Sequence, residues 1–169
     1  MKNIVLIGFM GVGKGSVARE IVRLSDMVAL DTDDVIESME NRRIKEIFES
    51  DGEPYFRALE KKVASWLKKS VKSTLISTGG GFFKVNNLNK IGTVVMLDAP
   101  FDLIYSRIKE HPNAEKKLLK RPLFNDIDRA RELYDERHPK YLDVADIVVS
   151  VVDKTPQEVA KEILKKVKK

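Results

Sequence analysis

The feature that most constrains the fold is a short apolar run, Asn3–Ile7, that leads directly into a glycine-rich loop and then into a helical pattern. Four more apolar runs of strand length follow, at residues 27–30, 74–77, 93–97 and 147–152. Continuous apolar runs are typical of strands that are covered on both faces. Amphipathic helical stretches alternate with these runs, so the sequence predicts a three-layer α/β/α domain around a five-stranded parallel sheet.

Two segments depart from this alternation. Residues 33–69 are almost entirely helical, with turn signals at Asn41 and at Asp51-Gly52, and we interpret them as a helical insert. Residues 111–128 contain two prolines and show no clear period. A long irregular loop in a compact domain is usually a lid or a binding loop. We expect one domain over residues 1–169, with a core formed by residues 1–32, 70–110 and 129–169.

Composition narrows the classes of function. The 169-residue chain has no cysteine, which excludes disulfides, Fe–S clusters and a cysteine nucleophile, and its two histidines, His111 and His138, stand far apart. The net charge is +5, and five lysines lie within 161–169 without interleaved aromatic residues, so we expect a solvated helix face and no nucleic-acid partner. Neither a membrane-spanning run nor a signal peptide is evident, so we expect a cytoplasmic protein without a membrane partner.

The loop after the first run fits a phosphate-binding pattern. It reads Gly8-Phe9-Met10-Gly11-Val12-Gly13-Lys14-Gly15-Ser16, which we compare with G-x-x-x-x-G-K-[ST]. Glycines let a phosphate approach the backbone N–H groups closely, and the start of the following helix favours an anion. We therefore predict a nucleoside triphosphate site formed by Gly11, Val12, Gly13, Lys14, Gly15 and Ser16.

The pattern is broken at one position. Gly15 stands where Ser or Thr usually donates a hydroxyl oxygen to Mg²⁺. Ser16 is rotated by about 100° along the helix and should not simply replace it. A water could fill the vacant ligand position, because Mg²⁺ keeps several waters. Two interpretations stay open: metal and nucleotide binding that persist but are weakened, or a relative that has lost catalysis.

Further motifs follow this loop along the chain. They are Leu30-Asp31-Thr32-Asp33, Ile47-Phe48, Asp51-Gly52-Glu53, Phe56-Arg57, Glu60, Gly79-Gly80-Gly81, Arg121-Pro122-Leu123, and Arg137 before Tyr141. With them the chain resembles the shikimate kinases, a nucleoside-monophosphate-kinase-like P-loop family, over essentially its whole length. The resemblance implies a P-loop kinase fold with a substrate-binding insert and a lid, ATP and Mg²⁺ as cofactors, and a monomer.

Two acids follow the second apolar run. Asp31 and Asp33 flank Thr32 at a sheet edge that faces the ligand crevice in open α/β proteins. Residues i and i+2 of an extended chain point the same way, so both carboxylates are expected in the site. The resemblance implies that Asp31 holds Mg²⁺ through water and that Asp33 binds the substrate hydroxyl, as a candidate base. If acids here instead cap the next helix, Asp34 is the residue that we expect to do so.

Two arginines are candidates for binding a carboxylate. Arginine suits bidentate recognition of this group, and the resemblance implies that Arg57 and Arg137 bind the carboxylate of the substrate. Glu60, three residues after Arg57, is expected to pair with it. Without the resemblance, either arginine reads as a surface ion-pair residue. The resemblance also places at the substrate three glycines that permit close backbone approach, Gly79, Gly80 and Gly81.

The nucleotide side has three further candidates. Arg121 lies in the expected lid, and the resemblance implies that it neutralises charge on the transferring phosphoryl group. Arg107 matches a position beside the adenine, and the segment 153–156, with Asp153, is expected on the other side. Thr155 and Pro156 fit the cap and first turn of the last helix.

These observations predict ATP-dependent phosphorylation of shikimate to shikimate 3-phosphate, a step towards chorismate and the aromatic amino acids. Lys14, Asp33 and Arg121 are the expected catalytic residues, and shikimate and ATP are the expected small-molecule partners. Two alternatives remain: a related small-molecule kinase, such as a gluconate or nucleoside-monophosphate kinase, and a binding protein without catalysis.

Overall fold

The computed structural model describes residues 2–119 and 122–168. Five strands form one parallel sheet in the order β2-β3-β1-β4-β5, which confirms the predicted sheet. The strands are β1 Asn3–Ile7, β2 Val28–Asp31, β3 Thr74–Ser77, β4 Gly92–Asp98 and β5 Ile147–Ser150. The fifth strand ends before the predicted residue 152, because the chain turns at 152–153, where Asp153 has φ 53°.

Helices cover both sides of the sheet and complete the predicted α/β/α architecture. They are α1 Lys14–Arg23, α2 Thr32–Glu40, α3 Ile44–Ser70, α4 Phe101–Lys109, α5 Ala114–Leu119, α6 Ile127–Val144 and α7 Pro156–Val167. Short 3₁₀ turns lie at Phe82–Lys84, Leu88–Lys90 and Pro122–Asn125. Over the described ranges, no helix combines the length and the apolarity that crossing a membrane would need.

The central strand β1 positions the site. All five of its residues are buried, and it pairs with β3 on one side and with β4 on the other. The next strand along the chain, β2, lies beyond β3, whereas β4 and β5 lie on the opposite side of β1. The chain therefore leaves β1 at a topological switch point, where open α/β sheets form a crevice at the carboxyl ends of their strands.

Between β2 and β3 the chain forms three helical segments. The first, α2, ends at Asn41, whose φ of 50° stops the helix. The long α3 is divided at Gly52, whose φ of 81° and ψ of 173° are not helical. The two predicted turn signals, Asn41 and Asp51-Gly52, thus lie where the helical path changes direction. Gly52 therefore divides α3 into two helical segments that follow different directions.

The segment 111–128 is more regular than we predicted. It contains the six-residue helix α5 and the 3₁₀ turn Pro122–Asn125, and α6 begins at Ile127 rather than at residue 129. The earlier start follows from Asp126, whose carboxylate accepts the N–H of Arg129 at 3.1 Å and caps the helix. A helix as short as α5 gives too few residues to show a period.

The last helix, α7, is capped as predicted. Thr155 Oγ1 accepts the N–H of Glu158 at 3.2 Å, the N–H of Thr155 donates to Glu158 Oε2 at 2.7 Å, and Pro156 occupies the first turn. This capping box satisfies amides that the helix start would leave unpaired. The helix then packs along α1. It therefore supports the helix that follows the phosphate loop.

Candidate active site

The phosphate loop joins β1 to α1 and turns sharply before the helix. Gly13 has φ 108° and ψ 20°, a left-handed conformation that favours glycine. The Nζ atom of Lys14 donates hydrogen bonds to the carbonyl oxygens of Gly8 at 2.6 Å and Phe9 at 3.3 Å. The loop is therefore folded around the lysine side chain, and the first amides of α1 lie beside it, as an anion site requires.

A cleft of about 410 Å³ opens beside this loop. It brings the loop together with the carboxyl ends of β2 and β3 and with α4. Its lining residues are Met10, Gly11, Gly13, Lys14, Gly15, Ser16, Arg19, Asp31, Asp33, Ser77, Thr78, Gly79, Gly80, Arg107 and Ile108. Val12, also predicted at the nucleotide, is buried beneath the loop, where its N–H donates to the oxygen of Phe9 at 3.2 Å.

Position 15 has room for a side chain. A Cβ atom on Gly15 would find only Nη1 of Arg19 within 4 Å, at 3.7 Å. The neighbouring Ser16 Oγ accepts a hydrogen bond from Nη2 of Arg19 at 3.2 Å. Packing therefore does not require glycine at this position, and a serine hydroxyl would fit there.

Asp31 ends β2 and caps α2. Its Oδ1 accepts the N–H of Asp33 at 2.9 Å, so the prediction that Asp34 would cap this helix is wrong. The strand runs into the helix without a linker, because α2 already begins at Thr32. The buried Oγ1 of Thr32 accepts the N–H of Gly79 at 3.1 Å and ties the start of α2 to the end of β3.

Asp33 has an unusual environment for a carboxylate. Its Oδ1 is buried and has no hydrogen-bond partner among the described residues. Burial, followed by repulsion from Asp31 and Glu60, raises the pKa of Asp33 from 3.8 to about 7, although Lys14 opposes the shift. A carboxylate with a pKa near neutrality, next to a phosphate loop, can accept a proton from a hydroxyl group.

The oxygen atoms at this wall of the cleft fit a hydrated Mg²⁺ ion. Mg²⁺ prefers oxygen ligands and is commonly held by one or two carboxylates together with nucleotide phosphates and waters. After capping α2 with its Oδ1, Asp31 retains its second carboxylate oxygen at this wall. Within 2–119 and 122–168, no cluster of three or more His, Asp or Glu side chains is placed to bind a metal by itself. The chain thus suits an ion that arrives with ATP.

Arg57 lies after the kink of α3, between two glutamates. Its Nη1 donates to Glu60 Oε2 at 2.6 Å, and the Glu60 side chain is only 1 % exposed. Its Nε and Nη2 both donate to Glu53 Oε1 at 3.1 Å. The expected pair with Glu60 is present. Burial lowers the pKa of the guanidinium, but Glu60 and, after it, Glu53 raise that pKa above its ordinary value. Arg57 is therefore fixed in position by Glu60 from the buried side.

Arg137, on α6, is buried next to Tyr141. The Tyr141 hydroxyl donates to the carbonyl oxygen of Gly80 at 2.5 Å, and burial raises the pKa of Tyr141 to about 12. The Arg137 guanidinium also lies over the Phe83 ring, 6.0 Å from its centroid. Over the described residues, no carboxylate lies within 4.0 Å of Arg137. This buried cation is thus available to an anion from outside the chain.

Each of the three glycines after β3 lies against the side chain of one predicted substrate-binding residue. A Cβ atom on the first, Gly79, would overlap the carboxylate of Asp33. On the last, Gly81, it would overlap the guanidinium of Arg57. On the middle glycine it would lie 3.2 Å from the Nη1 of Arg137. One acid and two arginines from α2, α3 and α6 therefore meet at a single tripeptide.

The residues predicted on the nucleotide side lie farther apart than the substrate-binding group. Arg107 lines the cleft, and its Nη2 donates to the carbonyl oxygen of Val151 at 3.1 Å. Asp153 lies two residues beyond that carbonyl but does not line the cleft. Arg121 lies outside the described residues. The structure thus brings Arg107 to the phosphate loop and leaves Asp153 at its periphery.

Sequence reasoning missed the contacts of Glu53 and Lys84. Glu53 Oε1 lies 3.5 Å from the Nζ of Lys84, which stands in the 3₁₀ turn just after the glycines. The spacing of Glu53 and Arg57, four residues apart on a helix, could have indicated their pair. Nothing in the sequence places Lys84 against them, because that contact depends on the packing of the turn against α3.

The known proteins to which this chain is similar include several shikimate kinases. The shikimate kinase family model matches residues 10–168. The shikimate kinase of Helicobacter hepaticus is 42% identical over 164 residues, which are 97% of this chain and 95% of that protein. A crystal structure of shikimate kinase from Aquifex aeolicus matches with a TM-score of 0.78 at 36% identity, covering 98% of this chain and 96% of the other. Shikimate kinase from Acinetobacter baumannii, solved in complex with shikimate, matches with a TM-score of 0.81 at 31% identity, covering 99% and 93%.

These matches extend along nearly the entire chain and include both the phosphate loop and the insert. They confirm the resemblance first drawn from the motifs. The fold and the sequence lead to the same assignment: the chain belongs to the shikimate kinase family.

Proposed function

We propose that the protein phosphorylates shikimate with ATP, the activity of the family to which it belongs, by using two adjoining parts of one cleft. The phosphate loop binds ATP, and the group around the three glycines binds shikimate. The observation that carries this proposal is the meeting of Asp33, Arg57 and Arg137 at three consecutive glycines, the first two of which line the cleft together with Lys14. A hydroxylated carboxylic acid needs cations for its carboxylate and a base for its hydroxyl, and these residues supply both.

The nucleotide half follows from charge. The α1 amides and Lys14 bind the β- and γ-phosphates, and Arg107 lies where it can reach the rest of the nucleotide. Mg²⁺ held by the ATP phosphates and Asp31 would neutralise charge on the transferring phosphoryl group. Lys14 already donates to loop carbonyls, so its ammonium group is positioned before ATP binds.

The shikimate half follows from geometry. Arg57 and Arg137 would bind the carboxylate in a bidentate manner, which fixes the ring relative to Asp33. Asp33 would orient the 3-hydroxyl and accept its proton. The hydroxyl oxygen then forms a bond to the γ-phosphorus as the bond from that phosphorus to the bridging oxygen breaks, and ADP leaves. Catalysis by positioning in this manner is typical of phosphoryl transfer.

The test is a coupled assay of ADP release with ATP and a range of Mg²⁺ concentrations, with shikimate present or omitted. Release that depends on shikimate is expected, and gluconate or a nucleoside monophosphate should not replace it. Calorimetric binding of both ligands without turnover would instead support the non-catalytic alternative. Failure to bind shikimate would overturn the substrate assignment.

The glycine at position 15 gives a second test. Gly15→Ser should reduce the Mg²⁺ concentration that gives half-maximal rate by about tenfold, because it restores an orienting ligand. The affinity of Mn²⁺ for the protein–ATP complex, measured by electron paramagnetic resonance, should increase in parallel. Gly15→Ala is the matched control, since it adds the same Cβ atom without the hydroxyl. Equal behaviour of the two variants would contradict a loss of metal affinity through Gly15.

A further inference from the structure

The guanidinium of Arg57 already binds a carboxylate, that of Glu53, through its Nε and Nη2 atoms. An arginine side chain has five N–H donors, and the edge formed by Nε and one Nη commonly binds carboxylates. In this structure Nε and Nη2 both donate to one oxygen of Glu53, at 3.1 Å each. The chain therefore supplies its own carboxylate at the group to which we assign the carboxylate of shikimate.

The two glutamates that bind Arg57 differ in burial. Glu60 is 1 % exposed and makes the shorter contact, at 2.6 Å, whereas Glu53 is 53 % exposed. An exposed ion pair contributes little to stability, because water screens it. Displacing Glu53 is therefore inexpensive, whereas displacing Glu60 would leave a charge in the interior. Only Glu53 is suited to exchange with an incoming anion.

Lys84 provides a place for Glu53 after such an exchange. Its Nζ lies 3.5 Å from the same Glu53 oxygen that accepts from Arg57. The Lys84 side chain is 43 % exposed and follows the glycine tripeptide by only three residues. If Glu53 leaves Arg57, it can stay paired with Lys84. The exchange then replaces one carboxylate by another at Arg57 and leaves no charge unpaired.

We propose that Glu53 occupies, in the free protein, the edge of Arg57 that the carboxylate of the substrate takes, and that Lys84 retains Glu53 when that edge is taken. This inference rests on the proposed function, because it needs a substrate carboxylate at Arg57. Glu53 competes with the ligand for this edge, whereas the buried Glu60 keeps the guanidinium oriented. Anions that cannot displace it, because they lack a planar carboxylate, are discriminated against.

The first experiment measures the Kd of shikimate by calorimetry, without nucleotide, for the unaltered protein and for Glu53→Gln. Removal of the competing charge should tighten binding by roughly two- to fivefold, the equivalent of one exposed ion pair. The KM for shikimate should fall by a similar factor while kcat stays the same. Glu49→Gln is the matched control, because it removes the same charge from an exposed i,i+4 pair in the first segment of α3.

The second experiment tests the role of Lys84. Lys84→Met should weaken shikimate binding when Glu53 is present, since the displaced carboxylate then has no partner. In the Glu53→Gln background the same change should have a smaller effect. A tighter Kd for Glu53→Gln together with this non-additivity supports the exchange.

Two results would overturn the inference. If Glu53→Gln weakens binding or lowers kcat, Glu53 only holds Arg57 in place; if it behaves like Glu49→Gln, it has no role in binding. Either result, in a protein that binds shikimate, contradicts the exchange and leaves the proposed function intact. An unaltered protein that binds no shikimate contradicts the proposed function itself.

Discussion

Asp33 combines a chemical role with a cost in stability. Its carboxylate lies against Gly79, one of its oxygens is buried without a partner, and its pKa is raised to about 7. Burial is the main cause, and the nearby Asp31 and Glu60 add repulsion. At this pKa, half of the molecules have a base ready at neutral pH. The same environment disfavours the charged form that the proposed reaction requires.

The first consequence concerns the pH dependence of the reaction. If deprotonated Asp33 is the base, kcat/KM for shikimate should rise about tenfold from pH 5 to pH 6 and level off above about pH 8, because kcat/KM for shikimate reports groups of the enzyme before shikimate binds. The measurement is initial rate at low shikimate with saturating ATP. A profile that stays flat between pH 5 and pH 8 would show that Asp33 only positions the hydroxyl.

The second consequence concerns stability. Folded Asp33 binds its proton more tightly than unfolded Asp33, so this residue favours folding most below pH 3.8 and loses that contribution as the pH rises to about 7. Asp33→Asn removes the buried charge. The free energy of unfolding of the ligand-free variant should therefore exceed that of the unaltered protein by about 1–3 kcal/mol at pH 8, with a smaller difference at pH 5.

Urea unfolding at the two pH values measures this difference. The control is Asp34→Asn, which removes the same charge from an exposed neighbour whose pKa is also raised by burial. The Asp33→Asn variant should also lose shikimate-dependent ADP release. A variant that is less stable than the unaltered protein at pH 8 would mean that the Asp33 charge is satisfied in the folded state.

At the scale of elements, the strands were predictable and the joints between elements were less so. Continuous β-branched runs located β1 and β3 to the residue. The cap of α2 was assigned to Asp34, whereas Asp31 caps the helix. Thr32, its first residue, also accepts the N–H of Gly79 from the end of β3, a contact that no local pattern shows. The helix α5 was not predicted, because its six residues are too few to show a helical period. Local signals thus define the middle of an element, and tertiary contacts decide where it begins.

The 3₁₀ turn Pro122–Asn125 connects the segment 111–128 to the phosphate loop. Phe124, 3 % exposed, has its ring centroid 6.2 Å from that of Phe9 in the loop and 6.5 Å from those of Phe101 and Tyr105 on α4. Phe9 in turn packs against Tyr134 of α6 at 5.3 Å. This aromatic cluster connects one end of the expected lid directly to the predicted phosphate loop.

Phe124→Leu tests that connection. Loss of the ring contacts should lower the free energy of unfolding by about 1 kcal/mol and raise the KM for ATP several-fold, because the phosphate loop loses a packing partner. Ile91→Val is the control, because Ile91 is buried just before β4 begins, at the end of the strands opposite the phosphate loop, and should give a comparable stability loss. Equal KM values for ATP in the two variants would argue that Phe124 serves stability alone.

At the scale of the whole molecule, the site is a product of sheet order. Asp33, Arg57 and Arg137 come from three helices and meet only because β3 lies next to β1 and delivers the glycines to the switch point. Periodicity predicted the layers and the parallel sheet, but it could not pair residues that are this distant in sequence. The resemblance supplied that grouping, and neither source predicted Lys84 beside Glu53.

The packing of α7 against α1 has a consequence for biosynthesis. The phosphate loop and α1 are among the first residues made, yet their supporting helix is formed from residues 156–167, and β1 awaits partners in β3 and β4. During translation, the face of α1 that α7 covers stays exposed until almost the whole chain has left the ribosome. We therefore expect the phosphate loop to reach its folded form only after α7 has been made.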